Sequence, residues 1–232
     1  MDKDSIGNRM KENYENRYRI KLTRRMPVIM RLDGKAFHTL TRHMEKPYSD
    51  ELRGVMVNTA MTLLSEIQGS KCAYVQSDEI SILITDFDKL TTDAWFDYNI
   101  QKMVSVSAGI ASAYFTAHLL NDGEIAIFDS RVFNIPKEEV CNYFIWRQQD
   151  WIRNSVQMLA QHYFSAKELH GKNQPAMHEM LYTKNVNWAD QHPRWKNGTF
   201  LNIVDGGILV DEDIIFTQNR AIVENYLIPI EV

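Results

Sequence analysis

The apolar positions of the first 135 residues form four short runs, each of a length that suits a β-strand. The runs span residues 27–32, 71–76, 80–85 and 125–133. After the first run, apolar residues recur at helical spacing behind Ser49, a good N-cap, and Gly69 stands where this helix would end. A second helical pattern covers residues 92–120. The predicted order of elements is therefore βαββαβ.

This order is typical of a ferredoxin-like sheet with both helices on one face, the plan that polymerase and cyclase palms also use. A helix ending near Tyr18 precedes it. Residues 140–166 are again helical in pattern, 171–175 and 185–198 are polar and irregular, and 200–204 with 207–210 suggest a hairpin. We predict an α+β protein with a palm-like domain, 1–135, and a helical and hairpin C-terminal extension, 136–232, packed on it.

Composition narrows the class of protein. A chain of 232 residues that is 44% hydrophobic and 24% charged is ordinary for a globular protein, which argues against disordered and fibrous classes. No apolar run approaches the roughly 20 residues that cross a bilayer, so we expect a cytoplasmic protein without a membrane segment. Cys72 and Cys141 lack a CxxC partner, which argues against a disulfide framework or a zinc site.

The N-terminal segment is basic although the chain as a whole carries a formal charge of -4. Any polyanion must therefore be held by a local patch. The basic residues of this segment, interleaved with Tyr14 and Tyr18, are Arg9, Lys11, Arg17, Arg19, Lys21, Arg24 and Arg25. They form either an RNA-binding surface or a solvated helix face.

Two acidic residues occupy the ends of neighbouring predicted strands. Asp33 ends the first strand and Asp78 lies at the tip of the predicted hairpin, so the two carboxylates can approach each other. Magnesium takes oxygen ligands, and a pair of ions can activate a hydroxyl while stabilising a phosphate. Gly34 lets the backbone come close to a metal and a triphosphate. Glu79, one step further along, should point the other way, and a structural role for it is at least as plausible as ligation.

Either motif alone is more often a simple turn than a metal site. Their joint occurrence on the right elements of a palm favours a two-metal site for phosphoryl transfer. Fold alone does not decide the substrate, because one fold can carry several activities.

Four segments together resemble the tRNA-His guanylyltransferase family. They read RLDGKAFH at 31–38, QSDE at 76–79, FDSRV at 128–132 and WRQQD at 146–150, and the similarity runs from about residue 9 to 198. The resemblance implies a palm that works in the reverse direction to ordinary polymerases. In that reaction ATP or GTP activates the tRNA 5′ end, which the 3′-hydroxyl of an incoming nucleotide then attacks.

The resemblance also implies roles for individual residues. Asp33, the Gly34 carbonyl and Asp78 would bind two magnesium ions. Contacts to the activating nucleotide would come from the backbone and side chains of Gly34, Lys35, Ala36, Phe37, His38, Lys46 and Ser77, with His38 near the base. Contacts to the incoming nucleotide would come from Lys102, Arg131 and Asn154.

Each of these side chains also has an ordinary structural interpretation. Lys46 can be a surface lysine, His38 a buried histidine and Arg131 a salt-bridge partner at a strand edge. Arg147, Asp150 and Asn154 share one helix face at i, i+3 and i+7, and can form either a polar site or an outer helix face.

One departure from the family pattern concerns substrate choice. Eukaryotic members carry a histidine where this chain has Ile152. The chain is therefore more similar to the bacterial and archaeal branch, for which we expect template-dependent repair of truncated tRNA 5′ ends. The main alternative is a tRNA-His guanylyltransferase that adds a single guanosine, and more distant alternatives are a nucleotidyl cyclase and a non-catalytic RNA-binding palm. The resemblance also implies a homotetramer.

Overall fold

The computed structural model describes residues 5–119 and 123–228. Its helices are α1 Ile6–Asn13, α2 Phe37–Leu40, α3 Asp50–Glu66, α4 Ile100–Leu119, α5 Lys137–Tyr163, α6 Ala166–Leu169, α7 Gln174–Tyr182, α8 Pro193–Asn197 and α9 Ala221–Glu224. Its strands are β1 Val28–Gly34, β2 Ser70–Gln76, β3 Glu79–Ile84, β4 Phe128–Asn134, β5 Thr199–Val204 and β6 Gly207–Asp211. Short 3-10 turns at 15–18, 95–98, 188–190 and 225–227 complete these ranges.

The strands form one sheet in the order β4-β1-β3-β2-β5-β6, with every neighbouring pair antiparallel. The first four strands have the ferredoxin-like order, which confirms the predicted βαββαβ palm. The predicted C-terminal hairpin is present as β5 and β6, and it joins the same sheet because Tyr74 of β2 pairs with Phe200 of β5. Backbone pairing thus crosses the proposed boundary at residue 135, and the division into two domains stays a prediction.

The two faces of the sheet carry separate apolar clusters because successive strand residues point to opposite sides. α3 and α4 cover one face, where Met30, Leu32, Ile80 and Ile82 are buried. α5 covers the other face over a cluster that includes Ile29, Cys72, Tyr74, Leu83 and Phe144. The predicted placement of both palm helices on one side is confirmed, and the cysteines are buried and free.

The predicted helix start at Thr92 is wrong. Phe96, Asp97 and Tyr98 have φ values of 49°, 51° and 55°, which place them in the left-handed region and interrupt any helix there. α4 instead begins at Ile100 behind Asn99, whose side chain accepts a hydrogen bond from the Lys102 amide at 3.0 Å. Residues 120–122 of the predicted helix end and turn lie outside the described residues.

Two further predicted boundaries are corrected. The fourth strand begins at Phe128 rather than 125, because the amides of Ala126 and Phe128 bond to hydroxyls of α4 instead of to a strand. The stretches 171–175 and 185–198 are partly helical, since α7 begins at Gln174 behind its cap Asn173 and α8 begins at Pro193. Within the described ranges, no helix is long and apolar enough to cross a membrane.

Candidate active site

Asp33 and Asp78 meet where β1 ends and the β2–β3 hairpin turns. Asp33 lies opposite Glu79 in the register of β1 and β3, and the Gly34 amide donates to the Asp78 carbonyl at 3.1 Å. The turn between the strands has only two residues, Ser77 and Asp78, and Ser77 takes a left-handed φ of 47°. The predicted approach of the two acidic residues is thus present in the structure.

The environment of Asp78 disfavours its charged form. Burial raises the pKa of the Asp78 carboxyl, hydrogen bonds from its own amide and from Ser77 act the other way, and the charges of Asp33 and Glu79 raise it again. A cation bound beside Asp33 and Asp78 would remove this repulsion. Desolvated carboxylates in close proximity are a common feature of functional sites.

The other acidic groups around this point are neutralised by arginine. Arg147 pairs with Glu79 and Asp150, Arg153 pairs with Asp150, and Arg131 pairs with Asp129 at 2.7 Å. Asp33 and Asp78 have no ion-pair partner within residues 5–119 and 123–228.

No group of three or more His, Cys, Asp or Glu side chains in the described chain is arranged to hold a metal ion. The predicted donors Asp33, Asp78 and the Gly34 carbonyl are instead two carboxylates and one backbone oxygen, so every donor atom is oxygen. That set suits magnesium, which typically binds one or two carboxylates and keeps several water ligands. The residues present fit the predicted ions.

A cavity of about 510 Å³ opens on one side of the hairpin turn. This volume lies in the range of small-ligand pockets. Among its lining residues are the predicted contacts Gly34, Ala36, Phe37, His38, Lys46, Ser77 and Asp78. His38 is exposed, so it is not a buried structural histidine, and the Lys46 ammonium donates to the Thr41 carbonyl at 3.2 Å.

The backbone amides predicted to hold the activating triphosphate are only partly available. The Gly34 amide bonds to Asp78 and the Lys35 amide to the Ile127 carbonyl at 2.8 Å, so these two amides are occupied by the fold. The Lys35 side chain borders a different cavity, together with Arg42 and His43. Ala36, at a left-handed φ of 56°, precedes α2 without a side-chain cap.

Glycine at position 34 is required for a reason that the sequence did not reveal. A Cβ there would lie 2.4 Å from a ring carbon of Phe37, well inside van der Waals contact. The Phe37 ring is buried against Phe115 and Phe128, with centroids 4.9 and 5.0 Å away. The ring therefore cannot retreat easily, and this packing shapes the loop beside the acidic pair.

A second cavity, of about 430 Å³, adjoins the first at Ser77 and Asp78. Its lining includes Asp33, Glu79, Arg147, Asp150 and Asn154. The structure thus brings Asn154 to the acidic pair, as predicted for a nucleotide contact. It also places Arg147, Asp150 and Asn154 together on one helix face.

The remaining two predicted nucleotide contacts differ in position. Arg131 lies on β4, which pairs with β1 and has Asp129 opposite Asp33. Its hydrogen bond with Asp129 and the charges of Asp129, Asp33 and Glu79 raise the pKa of Arg131. Lys102 is not brought to this point. It lies on α4, which covers the opposite face of the sheet, with its ammonium 5.7 Å from the Phe96 ring centroid.

The N-terminal basic segment divides into two parts. Arg24 binds the fully buried Asp86, and Arg25 donates to the carbonyls of Lys89 and Leu90. These two arginines hold the loop after β3 and are exposed, and their RNA contacts stay a prediction. Arg19 pairs with Glu15 on the surface, whereas Arg9, Lys11 and Arg17 are exposed and have no ion-pair partner in the described chain.

The pairing of Glu79 with Arg147 is the feature that sequence reasoning missed. The two residues are 68 positions apart, and no local pattern relates them. The predicted structural role of Glu79 agrees with this pair. The sequence indicated only that Arg147 shares a polar helix face with Asp150 and Asn154, and it did not indicate the partner of Arg147.

A ferredoxin-like palm, with an acidic pair between two cavities of nucleotide size, defines the chain as a nucleotidyltransferase. Residues 7–136 match the family model of tRNAHis guanylyltransferase. That segment is more than half of the chain, and the chain belongs to the tRNA-His guanylyltransferase family.

Solved structures and curated proteins agree with this assignment. A bacterial tRNA(His) guanylyltransferase-like protein in complex with ATP is 46% identical, with a TM-score of 0.91 over 96% of this chain and 99% of that chain. Another such structure, in complex with GTP, is 41% identical with a TM-score of 0.80 over 97% and 99%. The probable tRNA(His) guanylyltransferase of Homo sapiens is 27% identical over 75% of this chain, which spans 63% of the human protein.

Proposed function

We propose that this chain adds nucleotides to the 5′ end of tRNA in the 3′-to-5′ direction, copying the opposite strand, and so repairs truncated 5′ ends. The observation that carries the proposal is the pair of cavities that share Ser77 and Asp78. A two-step reaction needs one place for the activating ATP or GTP and another for the incoming nucleotide. Family membership, and the ATP and GTP complexes of the two bacterial relatives, support this division.

In the first cavity, Lys46 and Ser77 would hold the activating triphosphate, with the amides of Ala36 and Phe37 beside them. His38 would contact its base. Lys46 is pre-oriented by its bond to the Thr41 carbonyl, which lowers the entropic cost of holding a phosphate. The contribution of this cavity is therefore to orient the α-phosphate towards the tRNA 5′ end.

Asn154 in the second cavity, and Arg131 on the strand β4 beside it, would orient the incoming nucleotide, with its 3′-hydroxyl turned towards Asp33 and Asp78. Two magnesium ions bound by these carboxylates and the Gly34 carbonyl would neutralise phosphate charge and favour ionisation of the hydroxyl. Lys102 lies on α4 outside this cavity and would have to reach the incoming nucleotide from there.

Repair is favoured over addition of a single guanosine by two observations. Ile152 replaces the histidine of the eukaryotic members, which removes a polar group from α5. The bacterial relatives are also far more similar to this chain than the human protein. Base pairing with the opposite strand would then choose the nucleotide.

The tRNA would be held mainly through its backbone. Arg9, Lys11, Arg17 and Arg19 offer exposed positive charge on the N-terminal segment, and phosphate contacts of this kind bind different tRNAs alike.

We also propose a homo-oligomer, a tetramer by family resemblance. In α1 and the turn after it, Ile6, Met10, Tyr14 and Tyr18 recur every four residues and are exposed. Sedimentation analysis of the full chain, free and with tRNA, would show the number of subunits. A monomer in both conditions would contradict this proposal.

The direct experiment combines the full chain with magnesium, labelled nucleotides and a tRNA that lacks its first residue. We expect a tRNA product extended at its 5′ end and no product after chelation of the metal. Cyclic nucleotide formed without tRNA would favour the cyclase alternative. Binding of tRNA without incorporation would favour a non-catalytic palm.

A further inference from the structure

Glu79 and Arg147 form a buried ion pair directly beside the acidic pair. Arg147 Nε donates to Glu79 Oε1 at 2.7 Å and Arg147 Nη2 donates to Oε2 at 2.6 Å. Each residue is only 7% exposed. The contact joins the β2–β3 hairpin to α5 with the two-point geometry that arginine and carboxylate favour.

Further hydrogen bonds fix both side chains. Glu79 Oε1 also accepts from Gln76 Nε2 at 3.1 Å and from Ser81 Oγ at 3.4 Å. Arg147 Nη2 also donates to Asp150 at 3.0 Å, and its guanidinium lies 4.5 Å from the centroid of the Trp146 ring. Neither side chain can turn without losing several of these interactions.

The position of Glu79 makes this arrangement consequential. It follows Asp78 in the chain and lies opposite Asp33 in the strand register. Its carboxylate has the same chemistry as theirs, so an unpaired Glu79 would compete for the same cation. In the structure both of its oxygens are turned to Arg147, whereas Asp33 and Asp78 have no arginine partner among the described residues.

We propose that Arg147 is a positioning residue that withholds Glu79 from the metal ions and leaves Asp33 and Asp78 as the two carboxylate ligands. The inference rests on the proposed function for the presence of the metal ions. It adds the reason why a third adjacent carboxylate does not bind them.

Charge and burial set the expected effect of breaking the pair. Without Arg147, Glu79 is a buried carboxylate without a counter-charge, and it gains most by binding a cation or a proton. Without the Glu79 charge, the Arg147 guanidinium is an uncompensated positive charge beside the metal site. The two single changes should therefore shift metal affinity in opposite directions, and the double change should cancel them.

The test is a double-mutant cycle on metal binding by the full chain, without nucleotide or tRNA. Manganese is the probe, because its electron paramagnetic resonance signal reports the free ion. We expect Arg147→Met to bind manganese at least about fivefold more tightly and Glu79→Gln at least about fivefold more weakly than the wild type. The double variant should lie within about twofold of the wild type, because the two opposite charge changes offset each other. The opposite signs of the two single effects carry the test, since loss of a purely structural contact would shift both variants in the same direction or not at all.

Arg153→Met is the matched control, since Arg153 lies on the same helix, is exposed and, among the described residues, forms an ion pair only with Asp150. It should change manganese affinity by less than about twofold. Circular dichroism verifies the fold of each variant. If Arg147→Met does not fold, Arg147→Gln takes its place, because Glu79→Gln alone would weaken binding even if Glu79 were itself a metal ligand.

Equal manganese affinity in the wild type, Glu79→Gln and whichever arginine variant folds would overturn the inference and leave the pair a purely structural contact. That outcome is independent of nucleotide incorporation, which is measured separately on the wild type. If the wild type and the variants show the expected order of manganese affinities but the wild type extends no tRNA, the proposed function is contradicted instead. Absence of manganese binding to the wild type would overturn the inference and the metal assignment together.

Discussion

The Gly34 amide donates a hydrogen bond to the carbonyl oxygen of Asp78 at 3.1 Å. This bond joins the end of β1 to the turn of the β2–β3 hairpin, and Asp33 precedes Gly34 directly. The spacing of the two backbones at the acidic pair is thus set by main-chain hydrogen bonding. The acidic side chains can be changed without removing what holds their backbones in place.

The first prediction is that Asp33→Ala and Asp78→Ala each lower nucleotide incorporation by at least about 100-fold, because each removes a proposed metal ligand. The midpoint of denaturant unfolding should change little. Asp93→Ala, at an exposed position with no ion pair in the described chain, is the control and should retain full activity. Near-normal incorporation by either of the first two variants would remove the two-metal assignment.

A second prediction separates the two steps of the reaction. Lys46→Ala should impair extension of a 5′-monophosphorylated tRNA more than that of one already triphosphorylated, since Lys46 lines only the first of the two cavities. The ratio of kcat/KM for the two substrates is the measurement. Lys172→Ala, an exposed lysine outside both cavities, should leave the ratio unchanged. Equal losses on both substrates would refute the assignment of Lys46.

The third prediction compares two glycines. Gly34→Ala should lower the free energy of unfolding by about 1–3 kcal/mol, because the added Cβ meets the buried Phe37 ring. Gly109→Ala should raise it by roughly 0.5–1 kcal/mol, because Gly109 lies inside α4 with nothing within 4 Å of the added carbon. Urea unfolding of both variants is the measurement. A Gly34→Ala protein as stable as the wild type would show that the ring can move aside.

The fourth prediction concerns the basic N-terminal segment. Arg24→Ala should lower the free energy of unfolding by about 1–3 kcal/mol, because it leaves the buried Asp86 with one fewer charged partner. Joint replacement of Arg9, Lys11 and Arg17 by alanine should leave stability unchanged and weaken tRNA binding. The slope of the logarithm of the binding constant against the logarithm of the salt concentration should become shallower by about one for each lost phosphate contact. An unchanged slope would show that these residues do not bind RNA.

Much of the palm could be predicted because its signals are local. Short continuous apolar runs indicate buried strands, and Ser49 caps α3 by accepting a hydrogen bond from the Leu52 amide, as the pattern indicates. The proximity of Asp33 and Asp78 could also be predicted, since the hairpin turn and the end of β1 must be neighbours in this topology.

The errors and omissions arose where tertiary contacts override local preference. Residues 96–98 adopt left-handed conformations that no helical pattern reveals, and Arg24 appears to be a free surface charge until its buried partner Asp86 is known. The Glu79–Arg147 pair and the β2–β5 contact join distant segments, which single-sequence patterns do not report. The position of Lys102 on the far face of the sheet follows from packing of α4, not from its motif.

In the proposed reaction, the tRNA strand opposite the 5′ end selects the nucleotide that this chain adds. The decisive measurement is incorporation of each of the four nucleotides into a set of 5′-truncated tRNAs that differ only at the facing position. We expect the complementary nucleotide to be preferred in every case, because a mispaired base misplaces the attacking 3′-hydroxyl. Preference for guanosine on full-length tRNA-His, whatever the facing base, would contradict it.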